Sequence, residues 1–202
     1  MRFVLASILP CCFSFVTVLS AGTAVVYRIL PSPDSRFALE VEKTGLLSGK
    51  KHLFLFERYQ GTLHFDRESP ENSRIELAIE GASALCKDTW VSAKDLVKIQ
   101  KLALEEMMEV AKHPQLLFTS EKIIPKGVDA FQVQGRLAVR GISQPASVTV
   151  TLKPQVENLL VSGNAGIRLK DYGLKPPGAL LGTIGTKNEM TVSFALAAQP
   201  VR

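Results

Sequence analysis

Strict alternation of apolar and polar side chains between Phe131 and Val139 constrains this chain more than any other feature. Phe131, Val133, Gly135, Leu137 and Val139 alternate with Gln132, Gln134, Arg136 and Ala138, so an extended strand here turns one face to a core and the other to water. Upstream, Pro114 stops a helix, an apolar strand runs from Leu116 to Ile124, and Pro125-Lys-Gly127 supplies a turn. Downstream, a turn over Gly141 to Pro145 leads into Val148, Val150 and Leu152, which alternate with Ser147, Thr149 and Thr151. Three strands joined by short turns predict an antiparallel meander.

The same period recurs along the chain. Phe37, Leu39 and Val41 share one phase, as do Ile75, Leu77 and Ile79; Val161, Gly163, Ala165, Ile167 and Leu169; and Met190, Val192, Phe194 and Leu196. Phe54 and Phe56 point one way while Tyr59, Gly61, Leu63 and Phe65 fall in the opposite phase, which predicts a bulge at Glu57-Arg58. One helix interrupts the strands. Ser92-Ala-Lys-Asp95 has the form of a capping box, and helix formers continue to Lys112, with Leu96, Ile99, Ala103, Met107 and Val110 near one face and a break expected at Leu102 to Leu104. Eight antiparallel strands with one apolar face predict a closed barrel carrying one principal helical insertion, the helix lying outside or across one end. A two-sheet sandwich gives the same alternation.

Residues 1–24 have the form of a cleaved signal peptide, with Arg2 ahead of the apolar Phe3 to Leu19 and a Gly22-x-Ala24 site, leaving 25–202 as the barrel domain. The uncharged stretch also has the length of a membrane anchor. After cleavage Cys86 alone remains, at the end of an apolar strand, and is read as a small buried hydrophobe. The net charge of +5 is spread among acidic residues, which is not the footprint of a nucleic-acid binder. His52, His64 and His113 have no metal-ligand spacing, and neither a Gly-x-Ser-x-Gly elbow nor a phosphate-binding loop occurs. No catalytic residue, metal site or cofactor is therefore assigned.

Strand phase predicts an inward set of Phe37, Phe54, Phe56, Leu77, Ile79, Phe118, Val133, Leu137, Val150, Ile167 and Phe194, together with the small Gly135 and Gly163. Small inward residues leave volume, so replacing either glycine by Leu is expected to block a cavity in a folded protein. The alternative is that strand glycines mark bends.

Tyr27-Arg28-Ile29-Leu30, Ser35-Arg36-Phe37, Gly61-Thr-Leu-His-Phe-Asp66, the helix ending in Lys112-His-Pro-Gln, Phe118-Thr-Ser120, Val133-Gln-Gly-Arg-Leu137 and Gly141 follow in an order that resembles the YceI-like family. The resemblance spans roughly Tyr27 to Ala198. It implies a lipocalin-like barrel exported to the periplasm, with an elongated apolar cavity for a polyisoprenoid chain. The leading expectation is thus a non-enzymatic carrier of an isoprenoid or similar long apolar lipid, and the alternative is a filled structural or interaction barrel. The segment Tyr172 to Lys187 holds no acidic residue between Tyr172 and Lys187 and carries Leu174, Leu180, Leu181 and Ile184. Either these leucines plug one end, or they form a rim that admits a lipid tail, with Lys170, Lys175 and Lys187 meeting an anionic head group or making transient contact with a membrane surface.

Overall fold

A computed structural model describes residues 24–201. The signal-peptide expectation for 1–24 falls almost wholly outside the described residues. Eleven strand segments follow in order: β1 (Val25–Ile29), β2 (Arg36–Gly45), β3 (Lys51–Phe56), β4 (Tyr59–Phe65), β5 (Arg74–Glu80), β6 (Ala84–Cys86), β7 (Gln115–Pro125), β8 (Ala130–Val139), β9 (Ile142–Pro154), β10 (Leu159–Arg168) and β11 (Ile184–Pro200). Every pairing is antiparallel, and β1 joins β11 to close the ring. The result is an eight-stranded antiparallel barrel of the lipocalin-like kind, not a sandwich.

Eleven segments make eight strands because three strands bend. β11 pairs with β2 as far as Ala195↔Arg36 and with β1 from Ala198↔Ile29, so β1 and β2 are two halves of one strand. β3 and β4 are likewise halves of the next, paired to β2 and β1, and β5 and β6 are halves of the third. The bulge expected at Glu57-Arg58 is the corner of the second strand. Ser83 pins it from the third: its Oγ accepts from the Arg58 N–H at 3.0 Å and donates to the Glu80 carbonyl at 2.7 Å.

Past this corner β6 and β7 do not pair, and a helix covers the gap. α1 (Ala93–Lys101) is capped by the Ser92 hydroxyl, which accepts from the Asp95 N–H. The break expected near Leu102 is a change of winding: 102–107 is π-helical, with the Met108 N–H donating to the Ala103 carbonyl five residues back. Gln100 takes the place of a strand partner for β6, donating to the Ala84 carbonyl and accepting from the Cys86 N–H at 2.7 Å. Arg140 holds the end of this segment to β8 through an ion pair with Glu109.

The turn expected over Gly141 to Pro145 is shorter than its sequence implies. Arg140 and Gly141 both have positive φ, 52° and 74°, the requirement of a tight type I′ hairpin, and β9 begins at Ile142. Pro145 lies within β9 opposite Arg136. Its missing N–H costs no ladder bond, because β10 pairs with β9 only from Val148 onward.

Candidate ligand cavity

Three hollows follow one another along the barrel and shrink inward, with volumes of about 280, 110 and 30 Å³. The outer and middle hollows share Leu39, Phe56, Leu116 and Ile167 in their walls. The middle and inner ones share Ile75, Val133, Val150 and Val161. All side chains around the middle hollow are hydrocarbon, and the inner one ends at the edge-to-face pair Phe65 and Phe131, with centroids 5.9 Å apart. The wide mouth is built by β2, β3, the π-helical segment and the chain after β10. Met107 and Met108 lie in its wall with Leu102 and Ala103.

The structure places Phe54 at the mouth, Phe56 and Ile167 where the mouth meets the middle, and Phe37, Leu77, Ile79, Phe118, Leu137 and Phe194 around the middle. Val133 and Val150 stand where the middle meets the inner end. Phe37 is central to the aromatic wall, edge-on to Phe56 at 5.7 Å and stacked on Phe194 at 6.0 Å.

Gly135 and Gly163 share the inward phase but line none of these hollows, and the expected role of leaving volume is corrected. A Cβ on Gly135 would lie 2.2 Å from the Thr119 carbonyl oxygen, and one on Gly163 would lie 2.2 Å from that of Thr149 and 2.7 Å from the Phe194 ring. These glycines let neighbouring backbone and aromatic rings close over the strand. The space comes instead from small residues with room above them, such as Ala146 and Ala165.

Four polar residues gather at the otherwise apolar mouth: Lys43, His52, Tyr172 and Thr186. His52 does not meet His64, which is exposed on β4. Instead, Asp88 accepts from the Leu53 N–H at 2.8 Å and lies 2.5 Å from His52 Nδ1, while Trp90 stacks on the imidazole at 5.2 Å. Among the described residues no group of three His, Cys, Asp or Glu side chains comes together. Cys86 is buried, and desolvation pushes its thiol pKa up to about 11. Lys43 Nζ donates to Thr186 Oγ1 at 3.2 Å, and burial depresses the lysine's pKa while raising that of Tyr172. Lys43 was legible, because it continues the inward phase of Phe37, Leu39 and Val41. Asp88 and Tyr172, lying outside regular strands, had no periodic signal.

The chain from Gly173 to Thr183 divides in two. Leu174 is buried, and Pro177, Gly178 and Ala179 form part of the mouth. Leu180 and Leu181 turn outward, 66% and 108% exposed, both at positive φ, so these two do not plug the barrel. The Leu46 N–H of the β2–β3 turn donates to the Thr183 carbonyl at 3.1 Å, setting a third exposed leucine beside them. Lys187 is held by an ion pair with Glu42.

The family model for the YceI-like domain matches residues 29–198. A UPF0312 protein of Pseudomonas savastanoi pv. phaseolicola is 25% identical over 187 residues, covering 88% of this chain and 90% of its own. The protein named YceI of Salmonella arizonae is 28% identical over 125 residues, covering 59% and 61%. The crystal structure of Burkholderia cenocepacia BcnA superimposes with a TM-score of 0.63 at 18% identity, over 82% of this chain and 96% of that one. That of the Campylobacter jejuni YceI protein gives 0.56 at 16%, over 73% and 83%. At these identities the two structures are similar in fold.

Proposed function

This chain belongs to the YceI-like family of binding barrels, and from that premise we propose that it is an exported carrier of a polyisoprenoid or similar long apolar lipid. The observation that carries this reading is the taper: a wide mouth with a few polar groups, then a hydrocarbon-lined bore that narrows to a closed end. A flexible apolar chain matches that shape, with its tail inward. About ten methylenes buried at about 0.8 kcal/mol each give about 8 kcal/mol before ordering costs, the scale of micromolar binding without a polar contact. Leu46, Leu180 and Leu181 support loading at a membrane, since exposed leucines clustered beside the mouth give the rim an apolar surface to rest on a bilayer. The uncharged stretch ahead of Arg28 supports export through residues 1–24 as a signal, and a periplasmic location.

Native protein recovered from the periplasmic fraction, extracted with organic solvent and analysed by mass spectrometry, should yield a long-chain lipid near one per protein, on a chain whose sequenced N-terminus lies near Val25. Lipid-free protein at the same purity would sink the carrier reading in favour of a structural barrel. Full-length protein in the membrane fraction would replace the signal by an anchor.

A further inference from the structure

Lys43 occupies the fourth inward position of β2 and is 8% exposed, the only buried lysine or arginine among the described residues. An inward lysine ordinarily runs its stem along apolar surface and returns its ammonium to water, and a fully buried one is paired with a carboxylate. Lys43 does neither. Its neighbours of opposite phase are paired, Glu42 with Lys187 and Glu40 with Lys51, yet among the described residues no carboxylate stands within ion-pairing distance of the Lys43 ammonium. Its hydrogen-bond partner is the hydroxyl of Thr186, the residue facing it on β11. An ammonium has three donors, so two remain at the wide end of the cavity.

A cation partly desolvated by apolar walls and short of acceptors binds an anion more strongly than a surface lysine does, because less water and no fixed carboxylate competes. Aliphatic and aromatic groups line the bore beneath it, so the anion that fits is one carried on a hydrocarbon chain. We propose that Lys43, with the Thr186 hydroxyl, binds the anionic head group of an amphipathic ligand, a carboxylate or phosphate, whose tail lies in the barrel. This rests on the cavity reading above and adds the head-group class to it. Lys170, Lys175 and Lys187 of the sequence reading are not the anchor: none of the three lines the cavity, and Lys187 is already paired.

The full chain, stripped of co-purified lipid, is titrated calorimetrically with four probes: oleate, oleyl alcohol, farnesyl phosphate and farnesol. The charged member of at least one pair should bind about tenfold or more tightly than its alcohol, the scale of a hydrogen bond to a charged group. Which pair shows the preference tells carboxylate from phosphate. Lys43→Met should abolish the preference, bringing each charged probe to the affinity of its alcohol, and Lys43→Arg should retain it. Equal binding of charged and neutral probes by the unmodified protein, or a preference that survives Lys43→Met, overturns the head-group assignment and leaves the cavity reading standing. Binding of none of the four overturns both. If Lys43→Met does not fold, the unmodified protein's charged-to-neutral ratio together with Thr186→Val, which should weaken the preference, decides the matter.

Discussion

Gly163 and Phe194 are register partners on β10 and β11, and the Phe194 ring closes over the position where a side chain on residue 163 would stand. Leu there has no cavity to enter: its Cβ already meets the Thr149 carbonyl oxygen and the ring. Gly163→Leu should therefore destabilise the barrel by about 3 kcal/mol, at the upper end of overpacking costs because backbone must move. Ala165 lies two residues further along the same face, in the wall of the middle hollow. Ala165→Leu should fill that hollow, lowering lipid binding with little loss of stability. Urea unfolding and lipid titration of the two variants check the pair of statements. A stable Gly163→Leu protein that no longer binds, beside an Ala165→Leu protein that binds normally, would reverse the assignment of wall and space.

At the scale of elements, alternation made most strands and their phases legible, because one side of each meets the cavity and the other meets water. It did not reveal β1, where Val25, Val26, Tyr27 and Arg28 run from exposed to half-buried without a clean period and only Ile29 is fully enclosed. Periodicity shows the corner at Glu57-Arg58 as a slip of phase, but not those at Leu30–Ser35 and Gly81–Ser83, the latter held by a contact between distant segments, Ser83 to Arg58. The inward phase identified cavity residues but not which glycines touch backbone, a fact of the neighbouring strand. The segment after Gly173 mixes both cases, with Leu174 inward and the Leu180-Leu181 tip outward. Replacing both tip leucines by Ser should leave stability within about 0.5 kcal/mol, as for other exposed positions. If the tip meets a bilayer, lipid uptake from vesicles should slow in this variant at both low and high salt, because apolar contact is not screened as charge is. Unchanged uptake would remove the tip from the loading step, and a large loss of thermal stability would mean that the leucines pack against the barrel after all.

For the molecule as a whole, closure and hollowness act in opposite directions on stability. Pairing β1 to β11 closes the ring there, and Gln100 of the covering helix meets the edge that β6 would otherwise present, so little strand edge is left as a template for another chain. The bore, however, holds space where a packed core would make dispersion contacts, and its lining loses those contacts when nothing is bound. A lipid tail supplies them in the folded state and has no matching site in the unfolded chain. Ligand and fold are therefore linked: at a free ligand concentration a hundred times Kd, binding adds about 2.7 kcal/mol. In a domain of this size each kcal/mol moves Tm by about 2–4 °C, so stripping the lipid should lower Tm by about 5–10 °C. Adding back the extracted lipid should restore it in a concentration-dependent way. Differential scanning calorimetry of native, stripped and reloaded protein makes the comparison, with circular dichroism to show that the stripped barrel remains folded. An identical Tm in all three would mean that the extracted lipid lay outside the cavity, adsorbed on the leucine-bearing rim.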